Sequence, residues 1–157
     1  MRLEYFQLID RVVDLNLTDR TIRSEATVPH ASTIFEGHFP GYPLMPGVLL
    51  IETMAQTSGW LVVAMTRFAR MPFLAAVKDA KFRSFVLPDQ LLAVDAKLVH
   101  EGSGYVITQA KITSDGKPIC DATLTLRVLS FPNAEINRHM RETAAGLGIP
   151  HEELAHG

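Results

Sequence analysis

The chain has 157 residues, 47 % of them hydrophobic and 20 % charged, an ordinary balance for one domain able to bury its own core. Its formal charge of −2 excludes a dedicated nucleic-acid binder, whose phosphate partner calls for a basic surface. The single cysteine, Cys120, excludes an internal disulfide and a cysteine metal cluster, and it suits a reducing cytoplasm.

The opening residues, MRLEYFQLID, have no basic segment leading into an apolar run, so a signal peptide is not expected. Residues 3–13 lack a clean period, which predicts a short helical or irregular start running into a strand at 8–15. A second strand is expected at 21–28. Residues 36–46 carry Gly37, Gly41 and prolines at 40, 43 and 46. Prolines at every third position favour a stiff, polyproline-like path, so an ordered loop is expected here. Pro46 suits the first turn of a helix, where its missing N–H costs nothing. That helix should run from Gly47 to Arg67. It is the most apolar stretch of the chain, but Glu52, Thr53, Gln56, Thr57 and Ser58 interrupt it, which points to a buried helix and not a membrane span.

Beyond the helix the period changes. Residues 74–77 read as a short strand. Strands at 91–100 and 105–113 are joined by the glycine-containing turn EGSG. Residues 119–129 alternate, with Ile119, Asp121, Thr123 and Thr125 opposite Cys120, Ala122, Leu124 and Leu126. The preceding SDGK turn contains Asp115-Gly116, a strong hairpin signal. One long helix followed by an antiparallel meander predicts an α+β domain, a curved antiparallel sheet wrapped around that helix. Residues 1–130 form the domain. Residues 131–157 form an extension, with a short amphipathic helix over 133–145, stopped near Gly146 and Gly148, and a mobile tail, HEELAHG.

The chemistry concentrates in EGHFPGYPLMPGVLLIETMAQ, residues 36–56. Glu52 and Gln56 lie four apart on one helix face, and the small pair Ala55 and Gly59 lies beside them. Such a stripe suits a tight pocket or a subunit seam. His38 precedes Glu52 across the proline-braced loop, which can hold the imidazole in one place. Gly47 stands at the helix N-terminus, where N–H groups lack helical partners and the dipole favours negative charge. The stretch therefore offers an imidazole acid or base, a carboxyl in apolar surroundings and an oxyanion donor. A carboxyl so placed keeps its proton more readily. These groups suit proton removal beside a thioester carbonyl with loss of a β-hydroxyl. Singly, His38 reads more readily as structural and Glu52 as solvated; their combination with Gly47 at this spacing sets catalysis level with those readings.

The stretch GHFPGYPLMPGVLLIETMAQ resembles the signature of the bacterial 3-hydroxyacyl-[acyl carrier protein] dehydratases of the Z type. A weaker resemblance runs from residue 5 to 129, through DRV at 10–12, AKFRSFVLPDQL and CDATL. It implies a hot-dog fold, and a homodimer with two shared sites, often arranged as a trimer of dimers. His38 of one subunit would face Glu52 of the other. His38 would remove the C2 proton, Glu52 would protonate the departing hydroxyl, and the Gly47 N–H would hold the thioester oxygen. Gln56 would orient Glu52 or the water, and Phe39 and Val48 would join Gly47 and Gln56 in contacting substrate. No metal or cofactor is implied. The related A-type enzymes, which also isomerise the double bond, carry aspartate at the Glu52 position, so simple dehydration is expected.

Three departures stand out. The family's PHRYPF-like N-terminal loop is absent, its RFKRPV-like segment reads KFRSFV at 81–86, and the chain runs past the usual end. These features resemble a branch serving very long acyl chains of lipid A in alphaproteobacteria. An acidic acyl carrier protein would need a local positive patch, for which Lys78, Lys81 and Arg83 are the candidates. Two other readings compete. A hot-dog thioesterase would use a carboxylate to activate water, and a non-catalytic module would bind the carrier without turnover. Cys120 has no base near it and is expected to be a buried strand residue, not a nucleophile.

Overall fold

A computed structural model describes residues 1–150. Six strands form one antiparallel sheet: β1 (Arg11–Asn16), β2 (Thr21–Thr27), β3 (Arg70–Phe82), β4 (Leu91–Gly102), β5 (Tyr105–Ser114) and β6 (Lys117–Ser130). Their spatial order is β1-β2-β4-β5-β6-β3. Three α-helices accompany them: α1 (Thr33–Gly37), α2 (Gly47–Met65) and α3 (Ala134–Gly146). The sheet wraps α2, which is the hot-dog arrangement expected above. The 151–157 tail lies outside the described residues.

α2 meets the sheet on several of its faces, so it is apolar almost all round. By length and composition it could cross a membrane, yet 72 % of its most apolar window is buried inside the fold. Its buried polar groups are satisfied, as burial requires. Ser24 Oγ and Thr57 Oγ1 lie 2.7 Å apart, and Ser58 Oγ and Thr108 Oγ1 lie 2.8 Å apart. These two links pin the helix to β2 and β5.

Three elements differ from expectation. Residues 33–37 form α1, a helix too short to show a period, with Ser32 accepting from the Ile34 N–H at 3.1 Å as its cap. Pro46 is the N-cap of α2 and not its first helical residue. β3 spans 13 residues where a short strand was expected. Its sequence, RMPFLAAVKDAKF, contains a proline and several charges, which a central strand would reject and an edge strand tolerates. Register shifts at Leu74/Ala76 and Lys78/Lys81 also break its alternation. On β6, Ala122, Leu124 and Leu126 are buried and Asp121, Thr123 and Thr125 face outward as expected, but Ile119 is buried with Cys120.

The outer face carries one row of alternating charge across all six strands. Cross-strand partners run Asp14–Arg23, Arg23–Asp95, Asp95–Lys111, Lys111–Asp121 and Asp121–Lys81. Opposite charges on directly facing residues stabilise a sheet modestly, and Arg23 grips Asp95 with two bonds of 2.8 and 2.9 Å.

The two sheet edges are unlike. At β1 the Val12 N–H donates to the Leu147 carbonyl at 2.8 Å, so the C-terminal extension covers part of that edge. Along β3, no described element pairs with the outer edge. Phe73, Leu74, Val77 and Phe82 are about two-fifths to half exposed there, and Phe85 just beyond is 73 % exposed.

Candidate active site

Glu52 lies in the second turn of α2 and is half-buried. One turn on, Gln56 donates from Nε2 to Glu52 Oε1 at 3.2 Å and to the Phe6 carbonyl at 2.8 Å. Its Oε1 accepts from the Leu8 N–H at 3.2 Å. The one amide therefore sews the N-terminal segment to the helix and fixes the carboxylate.

Glu52 and Gln56 open onto a cavity of about 730 Å³. The small stripe foreseen on α2 lines it: Ala55 and Gly59 face inward beside Trp60. A Cβ on Gly59 would come within 3.3 Å of Pro72 Cγ, so the close approach there is to β3. Tyr5 and Phe6 line the cavity from the N-terminal segment, Met140 and Thr143 line it from α3, and so does Leu147, the residue that caps α3.

His38 is the C-cap of α1 and is half-buried. Its Nδ1 lies 3.0 Å from the Leu44 carbonyl oxygen. A carbonyl can only accept, so Nδ1 carries the hydrogen and the neutral ring presents a bare Nε2. The Leu44 N–H donates back to the His38 carbonyl at 2.9 Å, and the Met45 N–H donates to Val86 at 2.8 Å. These bonds hold the loop as the prolines suggested. The ring stacks on Phe39 at 4.2 Å, across a cis peptide. Neither His38 nor Phe39 lines the cavity of its own chain's Glu52.

The remaining sequence candidates fall into two groups. Gly47 begins α2 with the Phe82 ring against it: a Cβ would meet Phe82 Cε1 at 3.1 Å, so any larger residue would press on that ring. Val48 beside it is 71 % exposed. Lys78 and Lys81 are exposed on β3 and Arg83 follows the strand, ion-paired with Asp121. Cys120 is buried as expected, and desolvation together with Asp121 pushes its thiol up to about 12. It stays protonated and unreactive at neutral pH.

Known proteins resemble this chain in sequence and in fold. A family model described as the FabA-like domain matches residues 2–123. The chain belongs to the FabA-like family. Within it, the 3-hydroxyacyl-[acyl-carrier-protein] dehydratase FabZ of Fusobacterium nucleatum is 36 % identical over 121 residues, covering 76 % of this chain and 84 % of that protein. FabZ of Clostridium acetobutylicum is 33 % identical over 123 residues, covering 78 % and 86 %. Among solved structures, the dehydratase heterocomplex ApeI:P from Xenorhabdus doucetiae aligns with a TM-score of 0.62 at 14 % identity, covering 86 % of this chain and 90 % of that one. A hypothetical thioesterase with coenzyme A from Streptococcus pneumoniae aligns with a TM-score of 0.61 at 17 % identity, covering 78 % and 88 %. At such identities the structures establish the fold alone. The FabA-like match stops inside β6, so α3 stands outside it.

The sequence reading missed two contributors to the cavity. Main-chain groups of Phe6 and Leu8 carry no side-chain signal for their bonds to Gln56. The face of α3 did show helical spacing, at positions 140, 143 and 147, but that pattern does not say what the face meets.

Proposed function

We propose that the chain is a hydro-lyase that converts 3-hydroxyacyl-[acyl carrier protein] to trans-2-enoyl-[acyl carrier protein] in fatty acid biosynthesis. The observation that carries the reading is the His38 Nδ1 bond to the Leu44 carbonyl, which leaves Nε2 as a base. His38 Nε2 takes the C2 proton, and the C2 electron pair becomes the C2=C3 double bond. The C3–O bond breaks as Glu52 Oε2 gives its proton to the departing hydroxyl, and water leaves. The helix N-terminus at Gly47 and Val48 offers N–H groups to the thioester oxygen as negative charge builds on it. Phe39, stacked on His38, and Gln56, bonded to Glu52, keep the two reacting groups aimed.

The reading includes a homodimer in which His38 of one subunit serves Glu52 of the other. The uncovered β3 edge supports it, as does the absence of His38 from its own chain's Glu52 cavity. Trimers of dimers and a very-long-chain lipid A substrate are finer forms of the same proposal. We place the reaction in the cytoplasm. Lys78, Lys81 and Arg83 are proposed to receive the acidic carrier.

The test incubates the protein with a carrier-bound 3-hydroxyacyl thioester. Enoyl-thioester absorbance supports dehydration. Free thiol without enoyl product means hydrolysis, and carrier binding without any turnover means a binding module; either replaces the proposal.

A further inference from the structure

We infer that α3 of the C-terminal extension is the length gauge of the acyl pocket, its inward face ending the cavity that opens at Glu52. The inference rests on the dehydratase reading and assigns a role to a segment beyond the FabA-like match.

Dehydration holds C2 and C3 of the substrate at Glu52, so the rest of the acyl chain must lie somewhere apolar. The cavity continues from Glu52 along one face of α2, past Ala55 and Gly59 to Trp60. At 1.5 Å per residue this path is about 12 Å long. The cavity, of about 730 Å³, has room for an apolar tail along Ala55, Gly59, Trp60 and Leu74, although Arg2, Asp10 and His139 also line it. Met140 and Thr143 of α3 and Leu147, the residue that caps it, line the same cavity. Their spacing of three and four places them on a single helix face.

The wall is firmly seated. Ala144 and Ile149 are buried in the common core. Asn137 Nδ2 donates to the Phe68 carbonyl at 2.8 Å, and the Arg141 guanidinium lies 4.7 Å from the Phe68 ring centroid. The Leu147 carbonyl accepts from β1. A helix so anchored can resist an acyl chain pressing on it, which a loosely attached extension could not.

The experiment measures kcat/KM over a series of carrier-bound 3-hydroxyacyl chains for the intact protein and for Met140→Trp, Thr143→Phe and Met140→Ala. Filling the wall with Trp or Phe should leave the shortest substrates within about twofold and cost the long ones ~fourfold for every methylene turned away from the cavity. Met140→Ala should move the longest accepted chain upward. Equal loss on short and long substrates, or an unchanged profile in all three variants, overturns the assignment. If a filling variant unfolds, Met140→Ala decides alone, because shortening this side chain forces nothing into the fold. An intact protein that dehydrates no member of the series overturns the reaction itself. A turning-over protein with a profile indifferent to α3 overturns only the gauge.

Discussion

At the scale of single residues, direction matters as much as identity. His38 has its proton fixed on Nδ1 by a carbonyl, and Glu52 has one oxygen occupied by Gln56. In the proposed reaction each group acts through its remaining atom. His38→Ala and Glu52→Gln are each expected to lower dehydration ~100- to 10,000-fold with melting temperature little changed. Near-normal turnover in either variant would remove that residue from the mechanism. Both residues could be proposed from the sequence because chemistry follows residue type and spacing. The Gln56 clamp was not, since its main-chain partners lie 48 and 50 positions away and carry no side-chain signature. A second clamp sits at the start of α1, whose far end His38 caps. Glu4 accepts from the Ser32 hydroxyl at 2.6 Å and from the Thr33 N–H and hydroxyl at 3.0 Å each. The Ser32 bond above all holds its carboxyl down to about 2, against an unfolded value of 4.5. The clamp therefore contributes fully above pH 4.5 and fades as pH falls through about 2. A carboxyl titration by NMR should find the Glu4 midpoint near 2, rising in Ser32→Ala. A midpoint of 4.5 in the intact chain would mean that no clamp exists in solution.

At the scale of elements, α2 was readable from its start at Gly47 to within two residues of its end at Met65, and β3 was not. The helix announced itself by a long apolar run behind three prolines. Its buried hydroxyls, however, answer to residues far off in sequence, and Ser58 meets Thr108 across 50 positions. Thr108→Val should cost about 1–3 kcal/mol in denaturant unfolding, because it strands a buried hydroxyl. Adding Ser58→Ala should recover much of that loss; purely additive losses would show that the pair is not coupled. β3 hid behind its proline, its charges and its two irregularities. The shift between Lys78 and Lys81 has a functional side. Lys78 faces Thr123 and Lys81 faces Asp121, residues two apart on β6, so the extra residue puts both lysines on the outer face. Reversing Lys78 and Lys81 to glutamate should raise KM for carrier-bound substrate, more so at low salt, and leave a small carrier-free thioester unaffected. Equal loss on both substrates would place these lysines in the fold and not in docking.

At the scale of the whole molecule, the wrapped sheet was legible because an antiparallel meander after one apolar helix has few other ways to bury it. The pairing of β3 with β6 was not, since the strands meet out of chain order and nothing local specifies the partner. That pairing leaves β3 as an open edge 13 residues long, rich in partly exposed apolar side chains. Such an edge favours a second copy. Mixing inactive His38→Ala with inactive Glu52→Gln subunits should restore part of the activity, because a mixed dimer assembles one intact site. Verified subunit exchange without any recovery would place each site within one chain.

The charged row across the outer face works as a parity check on folding. Slipping a strand by one residue turns its core side outward, so burial alone rejects odd errors. An error of two residues keeps every apolar side chain inward and escapes that test. Here the row detects it. Moving β2 two positions along β4 in one direction sets Arg23 against Lys97 and Glu25 against Asp95. The corresponding move of β4 along β5 sets Lys97 against Lys111. Like charges placed face to face repel, and the misthreaded sheet is discouraged from closing over its helix.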